Sequence, residues 1–555
     1  MNRYIFFIVF IFSFISTLSQ TAHWNWASQV IGNDWSIAYD TETDNQNNVY
    51  SCGFFMDSAS FGNHQFFYSN QTAFVAKYNT QGEVCWVNAF PCDHGSFADW
   101  ISIDHEQNVL VLGHFSGTLQ AGNFTLIIDS YATNFFLIKM DSSGAVQWAR
   151  QSISDMTIQP AGLDIDEHNN IYIAGDNFDL TNFGYLTATK IGMFILKYTP
   201  DGDPVMLINE HGCSSGSVNI SNDQHICFSG AIIDTTIIGT DTLYPTGYYT
   251  VIPTPTGFDT VFVFERDPVF ISYTLDGELR WDRQAQSKSY DNRTYVTTDE
   301  FSNWYVMGNT VDTTNFWGTI HYAQETHTPY LFKMDSLGNI NWFQSGEPIS
   351  GYGGIFFRNL DYRNGKVYAI GSPWGSSTFA GLLVRKTSPE ETTVILKIDS
   401  AGNGNWAVID STNLARNVAH SISTGTDNDI AICGFFEDSV HFGQYYLNSY
   451  GGWPTFYVAR MASSLVGDEE NDPVGGYDGW KVYPNPSGGL FTIEADEPIN
   501  RIQIMNPAGV KIREIQSIVS RKHQIRIDYP GLYLVSVFTE NHIHSGKIII
   551  TQGAE

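Results

Sequence analysis

One short pattern recurs through most of the chain, and its period restricts the possible folds more than any other feature. Each copy is an apolar stretch, a lysine, a turn with glycine and a second apolar stretch with tryptophan, as in FLIKMDSSGAVQWA and VILKIDSAGNGNWA. Leu207 fills the tryptophan position between the third and fourth tryptophans, and the steps are 59 to 74 residues. The tryptophans are Trp26, Trp86, Trp148, Trp281, Trp342 and Trp406. Such a period indicates a repeat architecture.

Two glycine positions and one basic position share this period. The first glycine stands at Gly53, Gly113, Gly175, Gly230, Gly308, Gly371 and Gly434. The second follows nine or ten residues later, at Gly62, Gly122, Gly184, Gly239, Gly318, Gly381 and Gly443. The lysine position holds Lys77, Lys139, Lys197, Tyr273, Lys333, Lys397 and Arg460. Because every series has seven members, the pattern predicts seven repeats.

Each repeat contains four short apolar segments of the kind that form antiparallel strands, which is the content of one blade of a β-propeller. After Arg460 the chain supplies no fourth segment, whereas HWNWAS at residues 23–28 is a tryptophan-type segment with no repeat before it. We therefore expect an all-β, seven-bladed propeller in which residues 23–28 complete the seventh blade. The alternative is an open solenoid, which leaves residues 23–28 without a role.

The segments ISIDHEQNVLVLG and LDIDEHNNIYIAG share the pattern I-x-x-D-x-x-x-N-x-Y-x-x-G. This pattern resembles the seven-bladed propeller repeats of secreted bacterial proteins, over roughly residues 23–463. The resemblance implies a fold and does not imply an activity.

The first residues have the order of a secretory signal peptide. Arg3 is followed by the apolar run Tyr4–Ile15 and by small residues before Gln20, which predicts cleavage after Ser19. A membrane anchor is the alternative, but a run of this length is short for crossing a bilayer. We expect residues 1–19 to be removed and residues 20–464 to form the propeller, with no transmembrane segment in the mature chain.

Residues 465–479 are acidic, contain glycine and proline, and lack strand periodicity, so we expect a linker. Residues 480–555 contain FTIEA, RIQIMN, LYLVSVF and GKIIIT between turns. These alternating segments predict a small, Ig-like β-sandwich.

The last 76 residues also resemble the C-terminal sorting domain, type A, of the type IX secretion system. The matching positions are Val482, Tyr483, Pro484, Asn485, Pro486, Gly488, Gly509, Gly531 and Tyr533. The resemblance implies contact with the type IX secretion machinery, passage across the outer membrane and removal of the domain in the linker. The chain departs from the family by running on to Glu555, so surface attachment and full release both stay open.

Charge restricts the partners of the chain. Residues 1–479 carry 20 basic and 51 acidic residues, whereas residues 480–555 carry 8 and 7. An acidic body repels nucleic acids and anionic membranes, so neither is expected as a main partner. Export permits disulfides, and Cys213 with Cys227 is the best guess for a pair among six cysteines.

No motif in the chain predicts a catalytic residue, a cofactor or a metal site. Gly212-Cys213-Ser214-Ser215-Gly216 fits G-x-S-x-G, but the next residues predict a strand where a nucleophile elbow needs a helix. Asp40, Asp104, Asp166 and Asp299 are assigned to first hairpins of their repeats, where Asx turns are a better interpretation than calcium sites. His542 and His544 have no spaced partners that would complete a metal site.

Two local features remain open. The fourth repeat has 34 residues between Gly239 and Tyr273, where the other repeats have shorter intervals, and this insert can bind a sugar or protein or be decorative. Triplets such as Asp57-Ser58-Ala59 and Asp438-Ser439-Val440 resemble bacterial O-glycosylation sites; ordinary turn composition is the alternative.

Two functions follow from these observations. The first is a non-catalytic surface or secreted binding protein for adhesion or capture of a glycan or protein, and it is favoured by the absence of a catalytic motif. The second is a hydrolase or lyase acting on extracellular polysaccharide, because propeller enzymes collect catalytic residues from separate blades. Paired carboxylates at the channel mouth would favour the second.

Overall fold

The computed structural model describes residues 22–550 except 130–131, 255–256, 265, 288–293, 324–326, 350–352, 387, 410–414, 450–451, 464–479, 484–488, 506–510, 528, 530 and 540–542. The predicted signal peptide and linker therefore lie outside the described residues. The chain divides into two compact units, Met1–Asp468 and Glu469–Glu555, and each is treated by itself. All regular elements among the described residues are strands, so the prediction of an all-β chain is confirmed.

Seven four-stranded antiparallel arrangements, here called repeat sheets 1 to 7, form the first unit within the described ranges. In chain order the first three are β3 Ser36–Thr43, β4 Val49–Phe55, β7 Thr72–Tyr78, β8 Val84–Phe90; β9 Ser96–Ile103, β10 Val109–Phe115, β13 Asn134–Met140, β14 Val146–Gln151; and β15 Ile158–Ile165, β16 Ile171–Asn177, β19 Gly192–Tyr198, β20 Pro204–His211.

The next four repeat sheets follow the same order. They are β21 Cys213–Ile220, β22 His225–Ile232, β27 Asp267–Thr274, β28 Leu279–Gln286; β29 Tyr295–Thr298, β30 Trp304–Thr310, β33 Thr328–Met334, β34 Ile340–Ser345; β36 Ile355–Arg363, β37 Lys366–Pro373, β40 Val394–Asp399, β41 Gly404–Ile409; and β42 Asn417–Thr424, β43 Ile430–Phe436, β46 Thr455–Met461, β1 Trp24–Gln29. The fourth strand of repeat sheet 7 is thus β1, the first strand among the described residues. Its pairing runs from Trp24↔Met461 to Gln29↔Tyr457, where residues 23–28 were predicted to pair.

Apolar side chains lie between successive repeat sheets. The second and third strands are almost wholly buried, and β4 and β46 are buried along their whole length, because one repeat sheet covers each of their faces. Separate apolar clusters join sheets 1 and 2, 2 and 3, 3 and 4, 4 and 5, 5 and 6, and 6 and 7. A seventh cluster joins Phe74 of sheet 1 to Phe456 of sheet 7, with ring centroids 4.7 Å apart.

Each repeat contains a further two-stranded hairpin that the sequence analysis missed. The seven hairpins are β5 Ser58–Phe61 with β6 His64–Phe67, β11 Thr118–Ala121 with β12 Phe124–Ile127, β17 Thr181–Phe183 with β18 Leu186–Ala188, β23 Thr236–Ile238 with β24 Asp241–Leu243, β31 Thr314–Phe316 with β32 Thr319–His321, β38 Ser377–Phe379 with β39 Leu382–Val384, and β44 Ser439–Phe442 with β45 Tyr445–Asn448. The second recurring glycine lies in these hairpins, which is why its spacing is so regular.

The hairpins also connect neighbouring repeats. The chain leaving one repeat sheet pairs with the first strand of the next hairpin, as β2 Ile31–Gly32 does with β5, and β35 Glu347–Pro348 does with β38. Single bridges Cys92↔Leu119 and Ile153↔Asn182 repeat this contact. The insert of the fourth repeat forms one more hairpin, β25 Gly247–Thr254 with β26 Gly257–Phe264.

The second unit is a five-stranded antiparallel sheet. Its strands are β47 Trp480–Tyr483, β48 Leu490–Met505, β49 Lys511–Arg526, β50 Gly531–Phe538 and β51 Ile543–Ile550. The predicted segment FTIEA and the first five residues of RIQIMN belong to one strand, β48, and are not two strands. β47 pairs with the first half of β48 and β50 pairs with the second half. Buried side chains from both halves, including Ile493 and Ile502, form one core.

The guess of a Cys213–Cys227 disulfide is wrong. The two residues lie on adjacent strands, but Cys213 is opposite Ile232 and Cys227 is opposite Asn219, so they are at different heights of the hairpin. All six cysteines of the chain are free thiols, and all except Cys85 are buried.

Candidate functional site

The first strands of the seven repeat sheets contact one another in order, and the space between them is here called the channel. β3 contacts β9, β9 contacts β15, and the series continues through β21, β29 and β36 to β42, which contacts β3. Two cavities lie in this channel. They share Trp100, Tyr295 and Asn359, so the second continues the first along the channel.

The first cavity, here called the mouth cavity, has a volume of about 540 Å³. Residues of repeat sheets 1, 2, 3, 5, 6 and 7 and their adjoining loops line it. The side chains that matter below are Tyr39, Asp99, Trp100, His114, Gln159, Arg358 and His420. The second, here called the channel cavity, has a volume of about 270 Å³ and is lined by backbone and polar side chains that include Asp40, Glu42, Asp164 and Asp361.

A bulge in the first strand aims side chains into the mouth cavity. The register of β3 against β4 shifts between Ala38 and Asp40, which leaves Tyr39 as the extra residue. The same shift makes Asp99 and His420 extra residues of β9 and β42. A bulge bends a strand and redirects the inserted side chain. The recurring first glycine lies opposite this bulge, because a Cβ at Gly53 would collide with the carbonyl oxygen of Ile37.

These cavity residues were missed at the sequence level, although a signal for them was present. Tyr39, Asp99 and His420 each precede the first recurring glycine of their repeat by 14 residues, and Arg358 precedes Gly371 by 13. Counting back from each glycine would have located all four. The missing step was the recognition that this glycine indicates a bulge.

Asp99 and His114 form a pair at the cavity wall. His114 Nδ1 lies 2.6 Å from Asp99 Oδ2, and the imidazole stacks on Phe97 with centroids 4.8 Å apart. Burial lowers the pKa of His114, but the adjacent Asp99 carboxylate outweighs burial, so the pKa lies above its usual value. The Asp99 carboxylate therefore favours the protonated form of His114.

The Arg358 guanidinium in the cavity wall shares one carboxylate with Arg416. Arg358 Nη2 lies 2.6 Å from Glu391 Oε1, and Arg416 Nη2 lies 3.0 Å from Glu391 Oε2. His420 hydrogen-bonds Ala38 O through Nδ1 at 3.0 Å and stacks on Tyr39. Burial and the neighbouring Arg358 lower the pKa of His420 to about 4, so this imidazole is neutral at neutral pH.

Four carboxylates line the channel cavity, and three of them bond the backbone of the next repeat sheet. Asp40 Oδ2 accepts from Ile101 N at 2.9 Å, Asp164 Oδ2 accepts from Ile220 N at 2.6 Å, and Asp361 Oδ2 accepts from Thr424 N at 2.8 Å. Burial raises the pKa of Asp40 and of Asp164 to about 6. Burial and the neighbouring carboxylates also raise the pKa of Glu42.

The Asx-turn interpretation is therefore wrong for Asp40, although the residue belongs to the first hairpin of its repeat. It lies within β3, and Asp44 occupies the turn, where Asp44 Oδ1 accepts from Gln46 N and Asn48 N. The interpretation is correct for Asp104, Asp166 and Asp299, whose carboxylates accept the equivalent backbone bonds.

The lysine position of the repeat serves these turn aspartates. Lys139 Nζ lies 2.9 Å from Asp104 Oδ2, and Lys333 Nζ lies 2.8 Å from Asp299 Oδ2. In the fourth repeat Ser221 replaces the aspartate and Tyr273 replaces the lysine, so the pair is absent as a unit. Because lysine and backbone N–H groups occupy the carboxylates, this geometry favours a structural Asx turn over a calcium site.

The recurring tryptophans bind the next repeat. Trp148 Nε1 donates to Pro200 O at 3.1 Å, and Trp342 Nε1 donates to Ser400 O at 3.0 Å. Their rings lie against Gly202 and Gly402, the turn glycines of the next repeat sheet. Tryptophan, lysine and turn glycine are therefore one interface that joins repeats.

The G-x-S-x-G segment lies at the start of β21 and continues as strand, so it has no nucleophile elbow.

Of the predicted sorting residues, Val482 and Tyr483 lie in β47 and Gly531 begins β50. Tyr533 is buried, and its hydroxyl donates to Tyr529 O at 3.0 Å. The other predicted sorting residues, at positions 484–488 and 509, and position 542 of the histidine pair lie outside the described residues.

Comparison with known proteins identifies the C-terminal unit. Residues 481–551 match the family described as secretion system C-terminal sorting domain, so the sorting domain predicted from the sequence is confirmed. Among the described residues no helix combines the length and apolarity that a membrane crossing requires.

Three further similarities of low sequence identity extend over most of the chain. An uncharacterized WD repeat-containing protein, L264, of Acanthamoeba polyphaga mimivirus is 23% identical over 481 residues, which cover 75% of this chain and 31% of that protein. The chain thus spans less than a third of that relative. The WD40 domain of Neurospora crassa Pan2 is 9% identical, with a TM-score of 0.39 over 80% of this chain and 98% of that domain. PorZ, a type IX secretion component of Porphyromonas gingivalis, is 8% identical, with a TM-score of 0.14 over 95% and 100%.

Proposed function

We propose that this chain is an exported cell-surface or secreted binding protein: a closed seven-bladed propeller that holds an extracellular ligand in its mouth cavity. The match of residues 481–551 to a sorting domain carries the export part of the proposal. In this proposal residues 1–19 are a signal peptide, residues 20–464 the propeller, residues 465–479 a linker, and residues 480–555 a sorting domain with an Ig-like sandwich that contacts the type IX machinery.

Two contacts support a closed ring. β1 pairs with β46, and an apolar cluster joins repeat sheet 7 to repeat sheet 1 in the same way as the six clusters between successive sheets. An open solenoid would expose the strands at both ends of the series. Closure removes those edges, which otherwise invite pairing with other chains.

The mouth cavity supports binding. Its volume of about 540 Å³ lies within the range of small-molecule sites, roughly 300–1,000 Å³. Aromatic and polar side chains from separate repeat sheets converge there, and bulges position Tyr39, Asp99 and His420 on strands, not on loops. Sites on rigid strands hold their side chains accurately.

A polysaccharide hydrolase is the second candidate, and the raised pKa values of Asp40 and Asp164 favour it, since a general acid must hold its proton near neutral pH. Against it, both carboxylates bond the backbone of the next repeat sheet. Among the described residues lining the mouth cavity, Asp99 is the one carboxylate. The pair of carboxylates that a glycosidase places around its substrate is therefore missing from the mouth cavity.

Cell fractionation tests the export proposal. In the native host, a chain lacking residues 480–555 should accumulate in the periplasm, whereas the full chain reaches the surface or the medium. A chain lacking the fourth-repeat insert, residues 247–264, is the matched control and should be exported normally. Surface delivery of the chain without residues 480–555 would contradict the proposal.

Binding and reducing-end assays on the purified full chain distinguish a binding protein from a hydrolase. Binding of an oligosaccharide or protein without release of reducing ends supports a binding protein. Release of new reducing ends from polysaccharide, abolished by Asp164→Asn, would support the hydrolase in its place.

A further inference from the structure

Trp100 places a buried hydrogen-bond donor, without a partner in the described part of the chain, in the wall of the mouth cavity. It contributes to the walls of both cavities, and its Nε1–H is buried without a hydrogen-bond partner among the described residues. A buried donor without an acceptor costs free energy comparable to a lost hydrogen bond. An oxygen atom of a ligand in the cavity would satisfy it.

Other polar atoms of the cavity have capacity left. Asp99 uses Oδ2 for His114, which leaves Oδ1 as an acceptor. Arg358 uses Nη2 for Glu391, which leaves Nη1 as a donor. Gln159 is exposed in the same wall and carries both a donor and an acceptor. Donors and acceptors therefore alternate around one space.

The charges in the cavity restrict the ligand further. His114 and Arg358 each have a carboxylate oxygen 2.6 Å away. An anionic ligand would compete with Asp99 and Glu391 for these two groups and would face the carboxylates of the channel cavity. A cationic group would compete with His114 for Asp99. A purely apolar ligand would leave the Trp100 Nε1–H unsatisfied.

We propose that the mouth cavity binds a neutral sugar residue of a glycan, with Trp100 as its main contact. Hydroxyl groups donate and accept at once, so they match a wall in which Trp100 Nε1–H and Arg358 Nη1 donate and Asp99 Oδ1 accepts. The indole also supplies an apolar face for the C–H groups of a pyranose ring. This inference rests on the proposed binding function and names its ligand class.

Titration of the full chain with defined tetrasaccharides tests the inference. The probes are neutral cellotetraose, laminaritetraose and mannotetraose, with tetragalacturonate and the chitosan tetramer as acidic and basic comparisons, measured by calorimetry and tryptophan fluorescence. At least one neutral probe should bind tenfold or more tightly than both charged probes. Tighter binding of tetragalacturonate or of the chitosan tetramer would overturn the inference.

Variants locate the binding. Trp100→Phe keeps a ring but loses the donor and should weaken binding about two- to tenfold, the range that one lost hydrogen bond accounts for. Asp99→Asn should weaken it to a similar extent, since the amide cannot replace both the acceptor and the partner of His114. Trp35→Phe is the control: Trp35 is an exposed tryptophan outside the cavity lining, and its substitution should leave the affinity unchanged. Thermal unfolding confirms that each variant is folded.

The outcomes separate this inference from the proposed function. Unchanged neutral-probe affinity in folded Trp100→Phe and Asp99→Asn variants overturns the assignment of the sugar to this cavity. If no tetrasaccharide binds but a protein ligand does, and Asp99→Asn abolishes that binding, the sugar inference fails while the binding function stands. If neither class binds, both fail.

Discussion

Single glycines determine where this chain brings its repeats together. Gly402 has φ of +89°, and a Cβ there would lie 3.0 Å from the Trp342 ring of the preceding repeat sheet. Gly381 has φ of +79° but nothing within 4 Å of such a Cβ. Both positions favour glycine through their backbone, but only Gly402 also needs the space.

Replacement by alanine should separate these two effects. Gly381→Ala should lower the free energy of unfolding by about 1–2 kcal/mol, the cost of a left-handed conformation. Gly402→Ala should lower the free energy of unfolding by about 1–3 kcal/mol more than Gly381→Ala does, since Trp342 must move. Urea unfolding of the two variants measures the difference. Equal losses would show that the tryptophan contact tolerates a methyl group.

The first strands hold one another through side chains as well as through packing. Asp40 joins β3 to β9 through Ile101 N, and Ser421 of β42 donates to Asp40 Oδ1 at 2.6 Å. One buried carboxylate thus connects three first strands. Burial also raises the pKa of Asp40 to about 6, so the folded chain binds a proton at this residue more readily than the unfolded chain does.

Stability should therefore fall as the pH rises across this range. An unfolded aspartate has a pKa of about 3.9, so between about pH 4 and about pH 6 the folded chain binds more protons than the unfolded chain. The free energy of unfolding decreases with pH in that window. Asp40→Asn removes one titrating group, and the slope should flatten in urea unfolding at successive pH values.

Asp299→Asn is the matched control with the opposite sign. Burial raises the pKa of Asp299, but Lys333 and Asn303 outweigh it, so the pKa lies below its usual value. Its contribution is present above the unfolded pKa and is lost as the pH falls below about 4. This substitution should leave the slope between about pH 4 and about pH 6 unchanged. An unchanged slope in Asp40→Asn would contradict the assignment.

At the scale of the molecule, the sequence predicted the repeat and the sorting domain because both depend on local patterns. The tryptophan, lysine and glycine positions each recur within one repeat, so their period is visible without coordinates. The mouth cavity was not predicted, because Tyr39, Asp99, Arg358 and His420 come from four different repeats. The seven small hairpins were missed because strands of three or four residues leave little alternation to detect.

The joint between the two ends of the first unit should carry a large share of its stability. Trp26 of β1 is 4% exposed and stacks on Tyr78 with centroids 5.8 Å apart. Trp26→Ala should lower the free energy of unfolding by about 3–5 kcal/mol and lower the melting temperature of the whole unit. Trp35→Ala, at a position 46% exposed, should lower it far less. Similar melting temperatures for the two variants would contradict a structural role for β1.

The pairing of β1 with β46 also has a consequence in time. Trp24–Gln29 is synthesised more than 400 residues before its partner Thr455–Met461. Residues 481–551, which match the sorting domain, follow only after that partner. A chain whose synthesis stops before Thr455 therefore lacks both the partner strand of β1 and the sorting domain. A chain that has its sorting domain therefore also has every strand of the first unit.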